Sequence, residues 1–132
     1  MKKLGVLNKE ISELIASMGH LDELTICDAG LPIPEDVWRI DLAVRPGLPG
    51  FLDVTEAIAG DLQIQQIVIA TELKEKNPEF NDKIKDIFGD IPVTYIPHDE
   101  FKQRSQNSRA IIRTGECTPY ANVILISGVI FK

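Results

Sequence analysis

Histidine, cysteine and tryptophan are scarce in this chain. Its 132 residues include two histidines, two cysteines and one tryptophan. Cys27 and Cys117 lie far apart and outside any Cys-x-x-Cys pair, so they make neither a disulfide framework nor a zinc site. Each stands beside an apolar run, which predicts two small buried side chains rather than ligands or nucleophiles. Positive charge is also short. The formal net charge is -6, so no basic stripe offsets the phosphates of a nucleic acid. No apolar run reaches the ~20 residues that a membrane-spanning helix needs, so no membrane insertion is expected. Met1-Lys2-Lys3-Leu4-Gly5 is basic, but no apolar stretch follows it. That start does not read as a secretory leader, and the cytoplasm is the expected compartment. A Gly-x-Gly-x-x-Gly or phosphate loop is missing. Neither cysteine sits on a nucleophile elbow.

What is present is an ordinary globular composition, 44% hydrophobic and 26% charged. The length predicts one domain, residues 1–132. Asn8 is a good N-cap for a helix over Lys9–Met18, where Ile11, Leu14, Ile15 and Met18 recur at helical spacing and Gly19 supplies the stop. Helices are also predicted over Phe51–Ala59, Glu79–Phe88 and His98–Gln106. Strands are predicted at Leu24–Cys27, Ile40–Val44, Gln66–Ala70, Val93–Ile96, Ala110–Arg113 and Val123–Phe131. Strands alternating with helices define the α/β class. The expected architecture is a single-domain three-layer α/β/α sandwich with a mostly parallel sheet. The long apolar run Val123–Phe131 exceeds what one small sheet must bury, and part of it is expected to lie at a subunit contact.

The segment Ile112-Arg-Thr-Gly-Glu-Cys-Thr-Pro-Tyr-Ala-Asn122 holds the densest polar chemistry. It sets a cation, two hydroxyls, a carboxylate, a phenol and a carboxamide between two greasy strands. Binding groups collect on such loops at strand ends. Neutral donors and acceptors suit a polyol better than a phosphate. A well-made turn whose polar groups cap their own backbone would carry the same residues. Open α/β sheets bind ligands beyond the carboxyl ends of their strands. Asp28 follows one strand, His98 another and the 113–122 turn a third, so parallel strands would bring all three to one rim.

Each candidate residue has two readings. Histidine can give and take protons near neutral pH, yet His20 also fits as a cation at a helix end. His98 opens a helix, where it could serve a cap. Asp28, before Ala29-Gly30, can orient a hydroxyl, act as a base or close an Asx turn. Lys102 shares a helix face with His98 or is simply exposed. Tyr120 can stack on a sugar or anchor the turn.

Several blocks point to one family. They are Val6-Leu7-Asn8, Met18-Gly19-His20, Cys27-Asp-Ala-Gly-Leu-Pro-Ile-Pro34, Arg39-Ile-Asp-Leu42, His98-Asp-Glu-Phe-Lys102, the 112–122 segment and Gly128-Val129. Spread over nearly the whole length, they make the chain resemble the D-ribose pyranase family, sugar ring-form mutarotases related to the fucose mutarotases. The resemblance implies His20 as the catalytic proton donor. It implies Asp28, His98, Lys102, Tyr120, Ala121 and Asn122 as the residues that hold the sugar. It implies D-ribose as the small-molecule partner, with no metal and no cofactor. It also implies a ring-shaped homodecamer of two stacked pentamers, with sites near subunit boundaries. Two further readings stand beside it. One is a non-catalytic ribose-binding accessory of a sugar uptake system, which needs the cradle but no titrating group. The other is a mutarotase for another sugar such as L-fucose.

Overall fold

Side chains alternate between two faces along an extended strand, and in the central strands of the sheet both faces are apolar and find their own cover. The structure, a computed structural model, describes residues 1–132. Six strands form one sheet: β1 (Glu23–Cys27), β2 (Trp38–Asp41), β3 (Ile64–Ala70), β4 (Val93–Ile96), β5 (Ala110–Arg113) and β6 (Val123–Ser127). Their order is β2-β5-β1-β6-β3-β4. β2, β5 and β1 are parallel, as are β3 and β4, while β6 runs antiparallel to both β1 and β3. All strands except β6 therefore point the same way.

Five helices flank the sheet: α1 (Lys9–Ser17), α2 (Phe51–Ala59), α3 (Thr71–Lys76), α4 (Pro78–Phe88) and α5 (His98–Ser105). One sheet face offers Leu24, Ile26, Ile67, Ile69, Ile112 and Leu125. These pack against Ile11 and Leu14 of α1, Phe51 and Ile58 of α2, and Ile84 and Phe88 of α4. The other face offers Cys27, Val68, Ile111, Ile124 and Ile126, covered by Phe101 of α5 and by Leu31. The three-layer α/β/α arrangement is thus present, with a thin second outer layer. Phe101 is fully buried there, and truncating such a side chain to alanine typically costs about 3–5 kcal/mol. No helix is long and apolar enough to cross a membrane.

Several expectations need correction. The last strand stops at Ser127 rather than Phe131, because its neighbours run out: Ile126 pairs with Glu23 and Ser127 with Ile64. Beyond Gly128, Ile130 and Phe131 are 87% and 75% exposed. The second strand is Trp38–Asp41, not Ile40–Val44, because its register is set by pairing Trp38–Asp41 with Ala110–Arg113. Helix α1 ends one residue early, with Met18 rather than Gly19 as its C-cap. Cys27 is buried as expected, but Cys117 is exposed because it lies on the surface of the 114–122 turn. The sequence pattern predicts no helix at Thr71–Lys76, where α3 forms and buries only Leu73.

Candidate active site

Because β1, β4 and β5 are co-directional, Asp28, His98 and Thr114 leave the sheet at the same edge. The antiparallel β6 starts at that edge, so the 114–122 turn only has to cross from β5 over β1 to reach it. A cleft of about 660 Å³ opens there, lined by Asp28, Gly30, His98, Lys102, Thr118 and Tyr120 among others. Small-molecule sites commonly occupy ~300–1,000 Å³. The single-rim expectation therefore holds.

Asp28 is half-buried and bound on three sides. Its Oδ1 accepts from the Gly30 amide at 3.0 Å and the Leu31 amide at 2.9 Å, closing an Asx turn. Its Oδ2 accepts from Asn122 Nδ2 at 3.4 Å, while its own N–H donates to Asn122 Oδ1 at 2.9 Å. Burial pushes the Asp28 carboxyl above the usual carboxylate range; these amides and the nearby His98 pull it back only in part. Both readings of Asp28 hold together: one oxygen closes the turn, and the carboxylate still faces the cleft. Burial pushes the neighbouring Cys27 thiol up to about 12, helped by the Asp28 charge, which leaves it inert.

The 113–122 turn spends most of its polar groups on itself and its neighbours. Arg113 donates to the Ala29 carbonyl at 3.0 Å and pairs with Asp41 at 3.1 Å. Thr114 Oγ1 donates to the Cys27 carbonyl at 2.7 Å. Glu116 accepts from the Phe51 amide at 2.9 Å and from Thr118 Oγ1 at 2.8 Å, which caps α2, whose own N-cap residue Gly50 has no side chain. Gly115 presses on the 45–50 loop, where an added Cβ would stand 2.6 Å from the Leu48 carbonyl oxygen. Asn122 and Ala121 are fully buried and do not line the cleft. Of the residues expected to hold a sugar, Asn122 bonds to Asp28, and Ala121 lies in the tight Tyr120–Asn122 turn.

His98 and Tyr120 form the opposite wall. Their rings meet edge-on, with centroids 5.0 Å apart and planes at 86°. His98 also stacks on Phe101 at 6.4 Å, and its Nδ1 is buried without a hydrogen-bond partner in the chain. Tyr120 adopts φ of 63°, a region costly for a side chain of its size. Lys102 is half-buried on the next turn of α5 from His98 and lines the cleft; Asp99 pairs with it at 3.2 Å on the outer side.

His20 is elsewhere. It precedes β1, whereas Asp28 follows it, and that strand alone measures about 16 Å. The ring is exposed, and its Nε2 lies 2.9 Å from Gln65 Oε1. Its surroundings are a second, mostly apolar hollow formed by Ile15, Met18, Leu62, Val129, Ile130 and Phe131. Within one chain, then, Asp28, His98, Lys102 and Tyr120 come together and His20 does not join them. Sequence reading also missed Gln65, Glu72 and Lys76, each of which contacts a candidate residue; nothing in their local pattern distinguishes them from exposed polar residues. No group of three or more His, Cys, Asp and Glu side chains is arranged to hold a metal.

A rim cleft of hydrogen-bonding groups, with a carboxylate, a lysine and an aromatic wall, has the chemistry of a monosaccharide site on an α/β sheet. The chain belongs to the RbsD / FucU transport protein family, which it matches over residues 1–130. The D-ribose pyranase of Geobacillus kaustophilus is 50% identical over 132 residues, covering 100% of this chain and 97% of that protein. RbsD of Bacillus subtilis, solved in complex with D-ribose, aligns with a TM-score of 0.95 at 42% identity, over 99% of this chain and 100% of that one. The fucose mutarotase of Streptococcus pneumoniae, solved with L-fucose, shares the fold at a TM-score of 0.72 and 22% identity over 95% of each chain.

Proposed function

We propose that this chain is an isomerase that interconverts the pyranose and furanose forms of D-ribose. The observation that carries the reading is the 50% identity, over the whole chain, to a protein known as a D-ribose pyranase. The chemistry fits the cleft. A cyclic hemiacetal opens when its anomeric hydroxyl loses a proton and its ring oxygen gains one. The open-chain aldehyde then recloses through O4 in place of O5, which changes the ring size without net transfer of any group. General acid–base catalysis of such steps is typically worth about 10²–10⁴-fold.

In this reading Asp28 accepts charge-assisted hydrogen bonds from sugar hydroxyls, and Lys102 and His98 supply donors or acceptors on the facing wall. Tyr120 covers one face of the sugar. Ala121 and Asn122 hold Tyr120 and Asp28 in place from beneath. His20 is the proton donor, and it serves the cleft of a neighbouring copy. Its exposure, its distance from its own cleft and the apolar surface around it support that role. A homodecamer of two stacked pentamers and residence in the cytoplasm are part of the same proposal and rest on the family resemblance. Light scattering checks the first, and cell fractionation the second.

A second reading has one observation in its favour. Within a single chain His20 does not reach the cleft, and a cleft that His20 does not serve is what a non-catalytic ribose-binding module would show. Saturation-transfer NMR of D-ribose separates the two. The enzyme reading expects faster exchange between ribopyranose and ribofuranose signals; binding without faster exchange would leave the module. Co-assembly of His20→Ala with Asp28→Asn then tests the shared site. Assayed at low ribose, where weakened binding cuts the activity of Asp28→Asn, closed assemblies mixed at random restore roughly a quarter of the sites, whereas activity no higher than the average of the two separate variants would place both residues in one functional unit.

A further inference from the structure

Helix α3 contributes no residue to the lining of the cleft, yet two of its side chains reach the pair that forms the cleft's aromatic wall. Glu72 sets both carboxylate oxygens 3.0 Å from the backbone N–H of His98. Helix α5 has Pro97 at its N-cap and no side-chain cap of its own. Glu72 therefore supplies from another helix the side-chain acceptor that the N-cap of α5 lacks, beside the Asp99 and Glu100 charges already in that first turn. One turn further along α3, Lys76 places Nζ 3.4 Å from Tyr120 Oη and 5.2 Å from the ring centroid. Residues four apart share a helix face, so both contacts come from one side of α3. Between them stand His98 and Tyr120, edge to face at 5.0 Å.

We propose that Glu72 and Lys76 are positioning residues, and that α3 works as a bracket fixing the separation and tilt of His98 and Tyr120. Tyr120 needs such support. Its φ of 63° is a conformation that a tyrosine backbone does not favour, so local preference does not hold the ring where it is. The cation over its face and the donor to its hydroxyl supply what the backbone does not. Glu72 does the same for His98 by anchoring the first turn of α5, from which the imidazole projects and on whose next turn Lys102 follows. The bracket hangs from the end of β3, two strands away from β1, and so links the His98 wall to the sheet independently of the Asp28 loop.

The inference rests on the pentose site proposed above, and the test separates the two. Lys76 is exposed, so Lys76→Met should fold like the parent. We expect it to raise KM and Kd for ribose about three- to tenfold, the scale of one lost cation–π contact and one long, exposed hydrogen bond from an ammonium. Its kcat should stay within about twofold, because Lys76 acts on the seat of the sugar and not on the proton transfer. The chain has two histidines, so the imidazole resonances are readily assigned. In sugar-free Lys76→Met the His98 ring protons should shift as the Tyr120 ring moves, and those of His20 should not. Lys76→Arg should restore both readouts, and Glu72→Gln should move the His98 amide and ring signals together. Unmoved His98 resonances in Lys76→Met, or an unchanged KM, would overturn the bracket. A wild-type protein without exchange activity would sink the isomerase reading alone, since the His98 shifts would still decide the bracket.

Discussion

Asp28 leaves the carboxyl end of β1 into a rim held by a mesh of short contacts: Asn122 on its amide and carboxylate, Thr114 on the Cys27 carbonyl, Arg113 on the Ala29 carbonyl, Glu116 on the start of α2. His20 approaches the amino end of the same strand through a turn of another kind. Leu21 beside it has φ of 72° and is 58% exposed, and Ile130 and Phe131 stand out into solvent next to it. One rim is finished within the chain. The other presents a histidine beside uncovered apolar surface, the features of a surface that another molecule completes. A rigid cradle suits substrate binding, because orientation must precede chemistry. A proton donor can arrive from outside, provided that the assembly fixes its place.

If that contrast is right, the two rims should fail differently. The largest effect is expected for His20→Ala: exchange of ribose ring forms should fall by about 10²–10⁴-fold with ribose affinity nearly unchanged. Line-shape or saturation-transfer NMR measures the first and calorimetry the second. A variant that loses affinity but keeps its rate constant would put His20 in the cradle and erase the distinction. Next comes Gly115→Ala on the braced rim. Its new Cβ meets backbone on both sides, at 2.6 Å from Leu48 O and 2.7 Å from Arg45 O, and backbone cannot step aside cheaply. A loss of about 1–3 kcal/mol in chemical denaturation is expected, together with weaker ribose binding.

Asp28→Asn should come third. Losing the charge-assisted bonds to hydroxyls should weaken ribose binding by about tenfold while the Asx turn survives, since an amide oxygen can still accept from Gly30 and Leu31. The pH dependence has a definite sign. Burial raises the folded-state pKa of Asp28 above its ordinary value of 3.8, so the fold prefers the protonated carboxyl. Stability from this group is fully present below that ordinary value and is lost as pH rises through the raised one. The wild-type advantage over Asp28→Asn in thermal melts should therefore shrink from pH 3 towards neutrality, by an amount set by that shift; an advantage that grows with pH would contradict the burial argument. The smallest effect is expected for Gln65→Leu. It frees the His20 imidazole of one exposed hydrogen bond, so kcat should fall by about two- to tenfold with KM unchanged. A Gln65→Leu protein as active as the parent would mean that the orientation of His20 is set by the neighbouring copy alone.

Most of the scaffold was legible because its elements are periodic or punctuated. Asn8 caps α1 through Ile11 N–H at 2.9 Å, as a helix start should be capped. The apolar runs at 24–27, 67–70 and 123–126 became the central strands. The ends of elements were less legible. Val123–Phe131 looks like one strand, and only the lengths of β1 and β3 reveal that pairing stops at Ser127. Helix α3 escaped notice because Thr71–Lys76 buries Leu73 alone, so no apolar stripe marks it. The support residues Gln65, Glu72 and Lys76 were invisible for a related reason: an exposed polar side chain has no local pattern, and its partner lies 26 to 45 positions away.

The sequence by itself determined the class of sheet, the separation of Asp28, His98 and the 113–122 turn onto strand ends, and the family, because these follow from residue types at short range and from the identity of whole blocks. Tertiary structure decided what those groups do. It bonded Asn122 to Asp28, made Glu116 a cap for α2, and brought Glu72 and Lys76 of α3 against His98 and Tyr120. It also set His20 at the far end of β1. The physical reason is that strand order and direction are set by which buried faces pack together across the whole chain, and no local stretch of residues carries that information.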